Sequence, residues 1–82
     1  MNIPKVKAVT PIDNHTLMVQ FDNGTQKKYD ILPLLSNEMF APLKNESLFK
    51  AVQVERGGYA ISWNNEIDLS EHELWLHGET VP

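Results

Sequence analysis

Apolar and polar residues alternate along residues 16–31, and this segment carries the strongest secondary-structure signal in the chain. Leu17, Val19 and Phe21 occupy every second position before an Asp-Asn-Gly sequence at 22–24. Because side chains along a strand point alternately to its two faces, this pattern predicts a strand with one buried face. Asn-Gly between two such runs is typical of a tight turn, so the segment predicts a β-hairpin.

Two turn geometries fit this hairpin, and they give different registers. A two-residue loop places Tyr29 opposite Met18, whereas a three-residue loop places Tyr29 opposite Leu17. We favour the three-residue loop because it gathers the apolar side chains on one face, with Gly24 at positive φ in a type I turn followed by a bulge. This register points Lys27 inward, so its ammonium group has to extend past the sheet edge to reach water.

Weaker signals predict the remaining elements of the chain. In chain order they are a strand at 5–12, a turn at 13–15, a helical turn at 33–36, a helix at 46–50, a second hairpin formed by 51–56 and 59–64, and a helix at 71–77. Ser70 followed by Glu73 is a capping box, which makes the last helix the best-signalled one. Gly57-Gly58 suits the turn of the second hairpin. After Gly78 the pattern stops, and residues 79–82 predict a frayed tail.

The order of these elements indicates the fold class. Runs of strands separated by short helices, in the order β-β-β-α-β-β-α, predict an α+β fold with an antiparallel sheet of about five strands and short helices on one face. Met39, Phe40 and Leu43 predict a loop whose apolar side chains are pinned to the core. Tyr59, Ile61 and Trp63 are expected on one face of a strand. A chain of 82 residues predicts one domain, residues 1–82.

Composition narrows the classes of function. The absence of cysteine excludes a thiolate metal site and a thiol nucleophile, and fits a cytoplasmic location. No apolar run follows the start, which predicts that there is no signal peptide, and no segment approaches the ~20 apolar residues of a membrane span. Residues 1–28 carry four lysines against two aspartates, and residues 29–82 carry three basic against nine acidic groups. The acidic second part argues against a nucleic-acid surface there.

Asp30, Asp68 and His72 are the candidates for an ionisable site. The two aspartates lie beside apolar residues at the end of a strand or before a helix, and His72 could approach Asp68 across the start of the last helix. If they converged, they could hold a metal ion or act as an acid and base. Turn and capping duties explain the two aspartates more simply, because a carboxylate there accepts hydrogen bonds from backbone N–H groups. We therefore assign no catalytic residue, no metal ligand and no cofactor site.

Two other groups of residues suggest binding surfaces. A basic strip could form on the first three strands from Lys5, Lys7, Lys27 and Lys28 and act as a nucleic-acid platform. Lysines that protect an exposed sheet edge are the simpler interpretation. Trp63 and Trp75 are interpreted as core or interface anchors, because both are large and each indole N–H needs a hydrogen-bond partner.

Several short motifs occur along the chain in an order that resembles a known family. They are Phe21-x-Asn23-Gly24, Tyr29-Asp30-Ile31, Pro42-Leu43, Leu48-Phe49, Gly57-Gly58, Ile61-x-Trp63, Ile67-Asp68-Leu69 and Leu74. From residue 5 to residue 78 the chain resembles DUF2442, a family of small bacterial and phage proteins of unknown function. The resemblance implies a compact α+β domain, and it implies no catalytic residue. Some members carry an additional helix-turn-helix domain, which this chain is expected to lack.

Members of this family are often encoded beside another small protein, DUF4160, which implies an antitoxin-like pair. The chain has strand edges and two tryptophans but no catalytic constellation. The first functional hypothesis is therefore a non-enzymatic interaction domain that binds a protein partner, or a second copy, through a sheet edge and exposed apolar residues. The alternatives are a small-ligand or metal-dependent enzyme that uses the two aspartates and the histidine, and a nucleic-acid accessory protein that uses the lysine strip.

Overall fold

A computed structural model describes residues 2–82 as two antiparallel sheets packed with short helices, which confirms the α+β class. The strands, in chain order, are β1 (Val6–Pro11), β2 (Thr16–Phe21), β3 (Gln26–Asp30), β4 (Gln53–Val54), β5 (Ala60–Ser62), β6 (Asp68–Ser70) and β7 (Glu79–Thr80). The α-helices are α1 (Glu46–Phe49) and α2 (Glu71–His77), and 3-10 helices lie at Leu32–Ser36, Ala41–Lys44 and Arg56–Gly58. The first sheet has the order β1-β2-β3-β7 and the second has the order β4-β5-β6.

The first hairpin has the predicted three-residue loop and register. Leu17 lies opposite Tyr29, and the Phe21 N–H donates to the Thr25 carbonyl at 2.9 Å. Gly24 has φ of +91°, which a glycine adopts without the steric cost that a Cβ atom would bring. The buried face of the hairpin therefore carries the alternating apolar set, as predicted from the sequence.

Lys27 points into the protein, as that register requires, and its side chain is 9% exposed. Its ammonium donates to the backbone carbonyl of Trp75 and lies 4.3 Å from the centre of the indole ring. A buried ammonium needs such partners, because removing an unpaired charge from water costs at least about 3 kcal/mol. The ammonium is thus satisfied by helix α2 and not, as expected, by solvent beyond the sheet edge.

The second hairpin pairs β4 with β5, but its loop is longer than a Gly-Gly turn. The Glu55 N–H donates to the Ala60 carbonyl at 2.8 Å, so four residues, 56–59, form the connection. Gly57 and Gly58 both have positive φ, at 84° and 75°. Because Tyr59 belongs to the loop and not to the strand, its ring is 62% exposed, and the expectation that it shares the buried face of Ile61 is wrong.

Helix α2 begins where the capping box predicts. The Ser70 hydroxyl accepts a hydrogen bond from the Glu73 N–H at 3.1 Å, which satisfies one of the free amides of the first turn. The reciprocal bond of the box is absent among residues 2–82, because the Glu73 carboxylate instead accepts a hydrogen bond from the Tyr29 hydroxyl at 2.8 Å. Ser70 is therefore the N-cap, as the capping box predicts, whereas Asp68 lies exposed in β6 and does not have the capping role expected of it.

Removing this cap gives a first testable prediction. Ser70→Ala should lower the free energy of unfolding by about 1 kcal/mol, because one amide of the first helical turn loses its acceptor. Asp68→Ala, its control, should change it by less than about 0.5 kcal/mol. Urea unfolding followed by tryptophan fluorescence measures both. A larger loss for Asp68→Ala than for Ser70→Ala would mean that the carboxylate is the true cap.

Two strands are not predicted by the sequence pattern: residues 2–82 form seven strands in two sheets, where about five strands in one sheet were expected. Segment β6 pairs with β5, and β7 pairs with β3 through Lys27 opposite Thr80 and Lys28 opposite Glu79. The expectation of a frayed tail at 79–82 is therefore wrong. Gly78 allows this return, since a Cβ there would lie 2.5 Å from the Leu74 carbonyl oxygen.

The core unites both sheets with the helical segment between them. Phe40 and Leu43 are buried as predicted for that segment, but Met39 is 55% exposed and points away from the core. The buried apolar residues are Val6, Leu17, Val19, Phe21, Tyr29, Ile31, Phe40, Leu43, Phe49, Ile61, Trp63, Ile67, Leu69 and Leu74. The connection that precedes the second 3-10 helix and the connection that precedes β6 remain at the surface. Together they form a groove.

Candidate functional site

A surface depression of about 440 Å³ lies between residues 38–42 and the loop that connects β5 to β6. We call it the Met39 groove. The residues that line it are Glu38, Met39, Pro42, Asn64, Glu66 and Ile67. Ligand sites in proteins have volumes of roughly 300–1,000 Å³, so the groove is large enough to receive one or two side chains of a partner.

Each wall of the groove is held by an asparagine that caps its own turn. The Asn37 side-chain oxygen accepts from the Met39 N–H at 2.9 Å. On the other wall, the Asn64 side-chain oxygen accepts from the N–H groups of Glu66 and Ile67 at 2.8 and 2.9 Å. Asparagine forms such turns because its short side chain reaches the backbone two residues on. The walls are therefore set by local hydrogen bonds and do not need a ligand to form them.

The floor of the groove is apolar and its rim is acidic. Ile67 is 3% exposed and belongs to the core, whereas the flexible thioether of Met39 stands in solvent. Methionine adapts to irregular surfaces, which makes it common at binding sites that accept varied partners. Glu38 and Glu66 are exposed, and within residues 2–82 neither forms an ion pair. The groove can therefore bind apolar and positively charged groups, and the residues that line it include no hydroxyl, thiol, amine or imidazole side chain.

Asp30 is used in a turn and in a pair with a histidine. One carboxylate oxygen accepts the Leu32 N–H at 2.9 Å and also lies 2.9 Å from His15 Nδ1. The hydrogen bond from the imidazole to Asp30 raises the pKa of His15, and the charge of Asp13, 3.8 Å away, adds to this. The turn role that the sequence favours for Asp30 is confirmed, and His15 is a partner that sequence reasoning did not identify.

The His15–Asp30 pair gives a prediction of pH dependence. Since the folded-state pKa of His15 is raised, the pair stabilises the fold below the ordinary imidazole pKa, and this contribution is lost as the pH rises through the folded-state pKa. Asp30→Asn should lower the pKa of His15 toward its ordinary value, as followed by an NMR titration of the ring protons. Asp68→Asn, in the other sheet, should leave the pKa of His15 unchanged. An unchanged pKa in Asp30→Asn would assign the shift to Asp13 instead.

The three residues proposed for an ionisable site do not form one. Asp30 lies at the end of β3 beside His15, whereas Asp68 and His72 are exposed on β6 and α2. Across residues 2–82 there is no group of three or more His, Asp or Glu side chains placed to hold a metal ion. The metal-dependent alternative therefore has no site in the part of the chain that the structure describes.

The two tryptophans have structural surroundings. Trp63 is 6% exposed, and its indole N–H donates to the Phe49 carbonyl at 2.9 Å. Trp75 is half-buried, with its ring 5.0 Å from that of Phe21 in an edge-to-face arrangement. Each indole is therefore a packing group, and neither lines the Met39 groove.

The predicted basic strip is divided by the fold. Lys27 is enclosed by helix α2, and the Lys5 ammonium is 2.7 Å from the Glu71 carboxylate and 4.5 Å from the centre of the Tyr59 ring. Lys7 and Lys28 remain exposed. The predicted strip of four lysines is therefore not present. Two separated lysines attract a phosphate backbone much less strongly than four neighbouring ones.

Hydrogen bonds between polar side chains also join helix α2 to the first sheet. The Tyr29 hydroxyl donates to Glu73, and the same carboxylate oxygen lies 3.0 Å from His77 Nδ1. Burial of the ring and the Glu73 carboxylate raise the pKa of the Tyr29 hydroxyl well above its usual value. The phenol therefore stays protonated and acts as a hydrogen-bond donor that fixes the helix to the sheet.

The residues of the Met39 groove were not selected from the sequence as a site. Asn37 and Asn64 do carry a local signal, since each precedes a segment whose N–H groups its side chain can reach. The approach of the two turns is a tertiary event, and no periodicity along the chain predicts it. The sequence therefore indicates the two walls separately but does not indicate that they face each other.

These observations define a small α+β domain with two antiparallel sheets and a groove between two loops. Residues 6–80 match the family described as a protein of unknown function, DUF2442, and the chain belongs to that family, as the sequence motifs indicated. Comparison with curated proteins and with solved structures gives no match. Among residues 2–82, the helices are all too short to span a bilayer.

Proposed function

We propose that this protein is a non-enzymatic interaction domain that binds a protein partner through the Met39 groove. The observation that carries the proposal is an exposed methionine beside a buried isoleucine in a preformed groove. Since Met39 is 55% exposed, covering the rest of its side chain contributes about 1–1.5 kcal/mol to binding. Two hydrogen-bonded turns hold the walls in place, so little ordering opposes the association.

Three acidic side chains that are used within the fold support the non-enzymatic part of the proposal. Asp30, Glu73 and Glu71 are engaged in hydrogen bonds or ion pairs that tie elements of the fold together. A catalytic group has to face a bound substrate with its protonation state free to change. A role in packing explains these side chains without a substrate.

The partner that we propose follows from the family. It is the small DUF4160-type protein implied by the resemblance, in an antitoxin-like pair, with both proteins in the cytoplasm. A second copy of this chain is the competing occupant of the groove.

Co-expression of the two proteins tests this function. The chain should retain the DUF4160-type protein through affinity purification and gel filtration, and Met39→Ser should weaken the complex about tenfold because apolar contact is lost. Leu76→Ser is the matched control, since Leu76 is 54% exposed on helix α2, away from the groove lining. Absence of a complex, or equal loss in both variants, would contradict the proposal.

A further inference from the structure

The negative charge of the Met39 groove favours a positively charged ligand. Residues 29–82 carry nine acidic and three basic groups, so this part of the chain attracts positively charged partners. Several of its acids are neutralised within the chain: Glu46 by Lys50 at 2.8 Å and Glu71 by Lys5 at 2.7 Å. The carboxylates at the rim of the groove lack such partners within residues 2–82.

The two rim carboxylates come from opposite walls. Glu38 precedes Met39 on one wall, and Glu66 lies in the turn that Asn64 holds on the other. A single cation between the walls can therefore be contacted from both sides. An arginine suits this position because its planar guanidinium has five N–H donors and bonds to carboxylates in pairs.

The apolar lining of the groove favours a hydrocarbon group next to that cation. Met39 and Pro42 offer exposed hydrocarbon surface in the same depression as the two carboxylates, and the buried Ile67 closes its floor. The stem of an arginine or lysine, or an adjacent aliphatic side chain, would cover this surface while the charged end reaches the rim. A free inorganic cation would leave it bare, so the chemistry favours a peptide segment.

We propose that the Met39 groove binds a short cationic segment of the partner protein, with an arginine or lysine between Glu38 and Glu66 and an aliphatic side chain against Met39. This inference rests on the proposed function and specifies the kind of segment that the partner contributes. Opposite charge gives the pair its selectivity, and apolar contact gives much of its affinity.

Synthetic peptides test the inference directly on the full 82-residue chain. The probes are three hexapeptides in which leucine alternates with arginine, glutamine or glutamate, blocked at both ends. In amide NMR spectra, the arginine peptide should shift signals of residues 38–42 and 64–67. It should bind about fivefold more tightly than the glutamine peptide, because each exposed ion pair contributes up to about 1 kcal/mol. The glutamate peptide should bind more weakly than either.

Matched variants identify the two carboxylates. Glu38→Gln combined with Glu66→Gln should remove the preference for arginine over glutamine. Glu55→Gln combined with Glu79→Gln removes the same net charge from exposed positions outside the groove and should preserve the preference. Raising the salt concentration should weaken the arginine peptide and leave the glutamine peptide nearly unaffected.

The outcomes separate this inference from the proposed function. Equal binding of the arginine and glutamine peptides, or shifts outside the groove, would overturn the inference. Shifts of the groove signals with protein concentration alone would also overturn it, because a second copy would then be the occupant. If the DUF4160-type complex depends on Met39 but not on the two glutamates, the proposed function stands and the cationic segment is wrong.

Discussion

Replacing Phe49 with alanine should lower the free energy of unfolding by about 4 kcal/mol, because the ring is fully buried and its removal leaves a cavity. Phe49 ends helix α1, which has four residues and is too short to be stable by itself. Its ring stacks on Trp63 with 6.4 Å between the ring centres, and its carbonyl accepts the indole N–H. The variant keeps this carbonyl but loses the ring contact between α1 and Trp63.

Urea unfolding monitored by tryptophan fluorescence measures this loss, and two further variants make it interpretable. Phe49→Leu should cost about 1 kcal/mol and keeps the protein folded if the alanine variant is too unstable to study. Leu76→Ala removes a similar apolar group from an exposed position and should change stability by less than about 0.5 kcal/mol. A cost for Phe49→Ala no larger than that of Leu76→Ala would show that α1 is not held by this ring.

Elements with local codes were predictable from the sequence. The Asn-Gly turn and the alternation before it gave the first hairpin, including the register that places Lys27 inside. Ser70 gave the start of α2, because the bond between its hydroxyl and the helix amide spans three residues of the chain. In each case the sequence separation of the interacting groups is short, so the residues that decide the geometry are adjacent in the pattern.

Elements that depend on distant partners were not predictable in the same way. The strand β7 has two residues, too few for alternation to be visible, and it exists because β3 offers a free edge. Gly57-Gly58 predicts a two-residue connection and hence Tyr59 on the same strand face as Ile61, whereas four residues form the connection. One inserted pair of loop residues was enough to move its ring from the core to solvent.

The Met39 groove shows the same division at the level of function. Its walls are two local turns, and its floor is a core residue, Ile67, that the apolar pattern identifies. Their meeting depends on tertiary packing, since Phe40 and Leu43 on one side and Ile67 on the other belong to the same buried cluster. Asp30 and Trp63, which the sequence suggests by their chemistry, form hydrogen bonds within the fold. The groove proposed to bind a partner is lined by residues that belong to no chemical motif.

Gly58→Ala is expected to lower the free energy of unfolding by about 3 kcal/mol. A Cβ at this position would lie 2.4 Å from the Val6 carbonyl oxygen and 2.9 Å from the Lys5 Cβ, so β1 would have to move. The backbone conformation, with φ of +75°, costs a non-glycine residue about 1–2 kcal/mol in addition. The close approach matters because it brings the second hairpin against the first strand of the other sheet.

Gly24→Ala separates these two effects. Gly24 has φ of +91°, but a Cβ there would have no neighbour within 4 Å. Its alanine variant should therefore lose about 1 kcal/mol through backbone strain alone. The difference between the two variants in urea unfolding measures the contact between Gly58 and Val6. Equal losses would mean that the two sheets do not meet at Gly58 as closely as the structure places them, and the packing that orients the second hairpin would need another origin.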